Sequence, residues 1–428
     1  MGVSPPILIY AELLSNIRQV SVGCSLHTPS TSGTKATVSS DGRVLTVNHD
    51  GVETSIHLPG RVASPPRLPL QNLGTESLSW RLPLATPLED RVLTVSEEQM
   101  VPWSAGDLQP ESPISCRTCH TAIVKDGLIK IWKDLPSENW AEMMEFWHCH
   151  KPHDHGHKHD DDGLTSRGYG ANSRITAQPG VGFVDLTSFL LSCTDISTSV
   201  TRFLPLSKPQ DEANGYDETH KNGESHTLRA ESLPLFCKSC ESQLGVLNDQ
   251  GSSASLFKWQ VYVDEHAQQG TSAPPELSHC ISAMLLATMA RSGCSKSIVM
   301  PMKVQTQPDE GIQPANGKSQ PQSLLNIWVF NSNITFSSTE ETRSPIHAVK
   351  VFYRMVSQDE ADKLLDSMTS DVQDITLPAD AIRKVVDMLS SSNHLLSQSD
   401  RQFQEWTVGL LEKWDGKGLK ATHIVEAS

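Results

Sequence analysis

The chain has 428 residues, enough for about three domains with a sizeable core, and 37% of them are hydrophobic. Its 35 Lys and Arg stand against 50 Asp and Glu, a formal charge of -15, so the surface as a whole should repel nucleic-acid phosphates and anionic lipid. No segment approaches 18 uninterrupted apolar residues and no secretory leader is expected, so the nine cysteines of this expected intracellular protein read as thiols and metal ligands rather than disulfides.

In chain order, residues 7–26 are aliphatic and β-branched, with alternation at Val20 and Val22. Thr37–Leu58 predicts strand, turn and strand, with Asp41-Gly42 and Asp50-Gly51 as turn dipeptides between alternating segments. Ser79–Leu84 predicts an edge strand, since Pro83 cannot donate to a second neighbour. His27–Lys35 and Ala63–Gly74 are rich in Pro and Ser and read as loops. After a boundary near Asp107–Pro113 comes Cys116-Arg117-Thr118-Cys119, and then a helix opening at Pro136. Trp140, Met143, Met144 and Trp147 share one face of that helix, opposite Glu138, Glu142 and Glu145. Pro152 ends it, leaving His148, Cys149 and His150 at its C-terminus.

His153–Gly180 is polar and Gly-rich, Val181–Leu191 is an apolar run, and Pro205–Glu231 reads as a flexible insertion. A second knuckle, Cys237-Lys238-Ser239-Cys240, precedes a predicted strand at Leu256–Val263. Pro275–Arg291 predicts a helix stopped by Gly293, with Leu277, Cys280, Ile281, Met284, Leu285 and Thr288 on one face. Gln305–Gln322 is a polar linker. The C-terminal hundred residues predict strands at Leu324–Phe330 and His347–Val356 and then three helices. The first has Ser357 and Glu360 placed for a capping box, and the second starts at Pro378 and aligns Ile382, Val385, Val386 and Leu389. The third follows Asp400 and aligns Phe403, Trp406, Leu410, Leu411 and Trp414. The expected fold class is therefore α+β, with a β-rich N-terminal region (1–110), a central zinc-knuckle region (111–260) and C-terminal strands plus helices (261–428).

A two-residue gap lets both thiolates of a Cys-x-x-Cys turn reach one ion. Two such turns, at Cys116/Cys119 and Cys237/Cys240, complete a tetrahedral four-sulfur site of the kind structural zinc prefers, with no open position for catalysis. The competing reading of a single pair is a thioredoxin-like redox motif, which a second matched pair weakens. His153, His155, His157 and His159 run into Asp160–Asp162, a tract that reads as a solvated insertion with weak metal affinity. A hydrolytic zinc motif would need a His pair at i and i+4 together with its glutamate general base, as in His-Glu-x-x-His, and a RING would need eight ligands in a compact cross-brace; neither full pattern is present.

The first knuckle, the block WKDLPSENWAEMMEFWHCHKPH, the segment LFCKSC and the SWRLPL strand resemble the HECT-like family of ubiquitin-conjugating-enzyme-binding proteins. The resemblance implies a ubiquitin-ligase-like protein of cytoplasm and nucleus. Its implied partners are a ubiquitin-conjugating enzyme, a cyclin-type substrate and, as an alternative role without enzyme chemistry, the endonuclease of pre-mRNA cleavage and polyadenylation. One departure stands out: HECT ligases carry ubiquitin on a cysteine near the chain end, and here no cysteine follows Cys294. Cys149, beside two imidazoles, is the candidate nucleophile. A helix C-terminus raises a thiol pKa, however, so a structural or metal-binding Cys149 is the competing reading.

Overall fold

The computed structural model describes residues 7–63, 65–70, 73–85, 101–135, 176–197, 201–203, 233–247, 252–263, 274–302, 323–340, 345–367 and 371–415. Described residues up to Pro102 and from Glu276 onward form one compact unit, and Trp103–Pro275 forms the other. The predicted helix after Pro136, with Cys149 and the His153–His159 tract, lies outside the described residues. So do the Pro205–Glu231 insertion and the Gln305–Gln322 linker. No helix among the described residues is long and apolar enough to cross a membrane.

Alternation builds the first unit. Strand Gln19–Ser25 buries Val20, Val22 and Cys24 and half-exposes the residues between them, the period-2 pattern of a sheet with one packed face. It pairs antiparallel with Leu8–Leu14 on one side and with Ser77–Pro83 on the other. Ser77–Pro83 is the last strand of its sheet, as Pro83 requires. A second sheet orders Val52–His57, Val44–His49, Lys35–Val38 and Arg67–Leu68. The hairpin of Val44–His49 and Val52–His57 turns through Asp50-Gly51 with φ of 50° and 82°, the left-handed pair that a two-residue turn demands. Gly42, at φ 71°, is needed for space as well, because a Cβ there would sit 2.3 Å from the Val62 carbonyl oxygen. Val20, Val22, Leu78 and Trp80 of the first sheet share one core with Ala36, Val38, Leu45, Val47 and Ile56 of the second, a two-layer sandwich.

The spine of that unit is Leu324–Ser338, far longer than the predicted Leu324–Phe330. Its first half pairs with Lys296–Pro301 and its last residues with Leu8–Leu14, while Ile346–Val356 lies along the opposite edge. Register shifts around Asn331 bend the strand between its two neighbours, and Asn331 Oδ1 accepts the Asn333 N–H at 3.0 Å in the bend. Three helices follow the sequence expectations in part. Helix α1 (Leu277–Ser292) buries Leu277, Cys280, Ile281, Leu285 and Thr288 and closes on left-handed Gly293. In α2 (Gln358–Asp366) Ser357 accepts the Glu360 N–H, but the Glu360 carboxylate reaches Arg354 at 2.8 Å. Helix α3 (Ala379–Leu395) buries Ala381, Val385 and Leu389.

The third predicted helix is a β-hairpin instead. Gln402–Phe403 and Trp406–Glu412 pair through a turn with Gln404 at φ 54°, and Trp406–Glu412 lines the edge of Ile346–Val356. Trp406, Val408 and Leu410 alternate into one core while Leu411 is buried on the other face, so the apolar spacing fits a two-sided strand as well as a helix. Thr407, Val408 and Gly409 weigh against helix locally, and the open sheet edge decides. Gly409 lets α3 approach: a Cβ there would lie 2.7 Å from Leu389 Cδ2.

Among the described residues, the second unit holds a seven-stranded sheet and a three-stranded sheet. The apolar run after Gly180 folds as Val181–Val184 and Ser188–Ser192, paired antiparallel. The predicted strand Leu256–Val263 is two strands in different sheets, Ser253–Phe257 and Val261–Val263, broken by the short helical turn Lys258–Gln260. Lys258 causes the break. It is wholly buried, and its ammonium donates to the Trp103 carbonyl at 3.1 Å above the Phe189 ring. Trp103 and Trp132 pack on Phe189 to complete this core.

Gly409→Ala is expected to destabilise the protein by about 1–3 kcal/mol through overpacking against Leu389. A lower urea midpoint with an unchanged slope would register it.

Candidate metal centre

Each knuckle is the turn of a short hairpin. Ile114–Cys116 leads into the first and Ala122–Val124 leaves it; Leu233–Cys237 and Gln243–Leu247 flank the second. The two turns repeat each other bond for bond. The Cys116 and Cys237 carbonyls accept from the N–H groups of His120 and Glu241, both at 2.9 Å. Their own N–H groups donate to Thr121 and Ser242 at 2.9 and 3.0 Å. His120 and Glu241, the residues just after the second cysteine, are both left-handed, at φ 55° and 59°.

The turns meet head to head. Cys116 Sγ lies 3.6 Å from Cys240 Sγ, Cys119 Sγ lies 3.5 Å from Cys237 Sγ, and all four sulfurs are within 4.8 Å of one another. No pair is bonded as a disulfide, which would need about 2.05 Å. Four sulfurs around a tetrahedral ion at about 2.3 Å would stand about 3.8 Å apart, so the arrangement can hold one metal ion with little movement.

Burial pushes the Cys116 thiol up to about 12 and raises Cys237 as well. Cys119 is pulled down to about 6, first by the Thr121 hydroxyl 3.1 Å from its sulfur. Ser242 Oγ lies 3.3 Å from Cys240 Sγ and donates to Thr118 Oγ1 at 3.2 Å, tying one turn to the other. These hydroxyls are the functional residues that the Cys-x-x-Cys reading missed. The signal was present, since Ser or Thr falls two positions after the second cysteine in both motifs. Arg117 braces the first turn from outside, donating to the Pro275 carbonyl at 2.7 Å.

The remaining described cysteines do not join the cluster. Cys24 and Cys280 are fully buried, Cys24 with its thiol pushed up to about 12, while Cys193 and Cys294 are half-buried. The candidate nucleophile Cys149 lies outside the described residues.

Comparison with known proteins places the chain in a family. Residues 12–408 match the family described as HECT-like ubiquitin-conjugating enzyme (E2)-binding, a span that includes both knuckles. The protein belongs to that family. It is 24% identical over 335 residues to an uncharacterized protein of Schizosaccharomyces pombe, covering 75% of this chain and 80% of the relative. An uncharacterized protein of Saccharomyces cerevisiae is 22% identical over 312 residues, covering 72% of this chain and 71% of the relative. A human protein named as an E3 ubiquitin-protein ligase is 22% identical over 381 residues, covering 84% of this chain and 86% of the relative. No solved structure matches.

Two outcomes are expected at this centre. Metal uptake must displace the Cys116 and Cys237 protons, and below about pH 6 that of Cys119 too, so affinity rises with pH and falls more steeply under acid. Metal retention against a fixed chelator, measured from pH 5 to 8 (roughly the range over which a thiol ligand's protonation decides affinity), tests this. In metal-free protein, Thr121→Val should raise the Cys119 pKa from about 6 toward the ordinary thiol range, read as a shift in the pH profile of alkylation.

Proposed function

We propose that this protein binds a ubiquitin-conjugating enzyme carrying ubiquitin as a thioester and promotes transfer of that ubiquitin to a protein substrate, of the cyclin type that the family resemblance implies. The match over residues 12–408 to an E2-binding family carries this reading, and the similarity to a protein named as a ubiquitin ligase supports it. In the proposed route a substrate lysine amine attacks the ubiquitin carbonyl on the conjugating enzyme, and that enzyme's thiol leaves. Cys149 then acts as a structural or metal-ligating residue. The alternative route passes ubiquitin through a thioester on Cys149.

Cys116, Cys119, Cys237 and Cys240 hold a structural Zn2+ in this proposal. The donor set supports it: four sulfurs within 4.8 Å of one another can fill a tetrahedral coordination sphere and leave no site for substrate. The ion's part is to hold two chain segments in one place, and free thiols of this kind persist in the reducing cytoplasm and nucleus.

A second reading keeps the zinc clasp and removes the ubiquitin chemistry, making the protein an adaptor for a partner such as the polyadenylation endonuclease. The four-sulfur cluster favours it, because an ion held by four protein thiolates keeps no open position for chemistry.

Discharge of ubiquitin from a panel of loaded conjugating enzymes separates these cases. Direct transfer predicts discharge that survives Cys149→Ala and is lost in Cys237→Ser with Cys240→Ser, along with stoichiometric zinc. A reducible ubiquitin adduct on this chain, abolished by Cys149→Ala, would replace direct transfer by the thioester route. No discharge across the panel would leave the adaptor reading.

A further inference from the structure

Strand Val44–His49 ends on a histidine whose side chain is completely buried. Its ring is held on both sides, with Nδ1 2.8 Å from Thr34 Oγ1 and Nε2 2.7 Å from Thr28 Oγ1. Thr34 Oγ1 also accepts the Thr31 N–H at 2.9 Å, so its position does not depend on the imidazole. Asp50 occupies the first left-handed corner of the following turn, with its carboxylate beside the ring. Asp50 Oδ2 is 3.4 Å from His49 Nε2 and accepts the Thr28 hydroxyl at 2.7 Å. His27 closes the group from the segment after strand Gln19–Ser25, its ring centroid 5.3 Å from that of His49 and inclined at 64°. Nδ1 of His27 is buried and has no hydrogen-bond partner. One donor atom from each of His27, His49 and Asp50 lies within 4.8 Å of the others.

Two imidazoles and a carboxylate are the donors that Zn2+ and its first-row neighbours accept, and they differ in kind from the four thiolates of the knuckles. Nitrogen and oxygen donors at about 2.0 Å from a tetrahedral ion stand about 3.3 Å apart, close to the separation of His49 Nε2 and Asp50 Oδ2. Thr34 gives the imidazole a partner at Nδ1, and an ion would take Nε2 in exchange for its proton and its 2.7 Å bond to Thr28 Oγ1. A buried nitrogen without a partner, such as His27 Nδ1, is unfavourable in a packed protein, and a nearby cation relieves that cost by polarising the ring or binding it. The Asp50 side chain is 47% exposed, which opens the group to solvent on one side for a water as fourth ligand.

We propose that His27, His49 and Asp50 form a second metal site in this protein, taking a divalent transition-metal ion of the Zn2+ type with an exchangeable fourth position beside Thr28. It is independent of the sulfur cluster and of any ubiquitin chemistry.

Cobalt loading of the full-length protein tests the site. The chain is stripped of metal and titrated with Co2+ in a background where His153, His155, His157 and His159 are replaced by serine. Two equivalents are expected. One brings the intense sulfur-to-cobalt charge-transfer absorption of a thiolate site, and the other adds visible ligand-field bands without it. His27→Gln and Asp50→Gly, the latter suited to the left-handed turn, should each weaken binding of the sulfur-free equivalent at least tenfold. Both should leave the thiolate band and the metal-free melting temperature near those of the parent. His49 is left intact because its burial makes substitution a folding test. A single, sulfur-bound equivalent in the parent would overturn the site. So would a second equivalent that survives both substitutions.

Discussion

Four sulfurs drawn from two hairpin turns 118 positions apart, as counted from Cys119 to Cys237, form the contact on which the second unit's geometry depends. Neither turn could bring its partner that close by local structure alone. Each is rigid in its own right through its left-handed corner and paired backbone bonds, and what remains to be decided is where the two meet. Closing a loop of that length with a cross-link removes about 4–5 kcal/mol of freedom from the unfolded chain on the chain-entropy account. An ion that binds only the assembled cluster acts in the same direction.

The site's chemistry follows from that packing. Sulfurs 3.5–3.6 Å apart cannot all be thiolates without a cation, so burial keeps Cys116 and Cys237 protonated while a hydroxyl stabilises charge on Cys119. A divalent ion bound there would displace the Cys116 and Cys237 protons. With protein sulfur as every ligand, an ion bound there would have no vacant position, and its effect would be on shape. This agrees with membership of a family defined by what it binds rather than by a reaction centre.

The first unit follows a different logic. Its sandwich core and its long central strand are held by hydrophobic alternation, with no metal needed to close them. The His27, His49 and Asp50 group sits beside one of its hairpin turns, where a left-handed corner puts the Asp50 carboxylate beside a buried imidazole. Turn geometry thus does in this unit what the knuckle corners do in the other: it sets the direction of a polar side chain that strand alternation alone would leave elsewhere.

Much of the local structure was legible in the residues. Asp50-Gly51 marked its turn because only left-handed residues fit a two-residue loop, and Ser357 marked the start of α2 because its hydroxyl can take an orphan N–H. The cysteine spacing marked two pairs, whose four sulfurs the structure brings within 4.8 Å of one another. It did not reveal the supporting hydroxyls of Thr121 and Ser242, although their common offset was there to read. Trp406–Glu412 was misread as helix because apolar residues buried on both faces satisfy either period, and an unpaired strand edge, which no local window contains, settled the matter. Lys258 split Leu256–Val263 for the same kind of reason: a carbonyl 155 positions away claims its ammonium. The sequence by itself determined the turns, the caps, the paired cysteines and the α+β class, since those depend on neighbours within a few residues. Only the tertiary structure decided which sulfurs face one another and which histidine meets Asp50, because those distances are set by the packing of segments far apart along the chain.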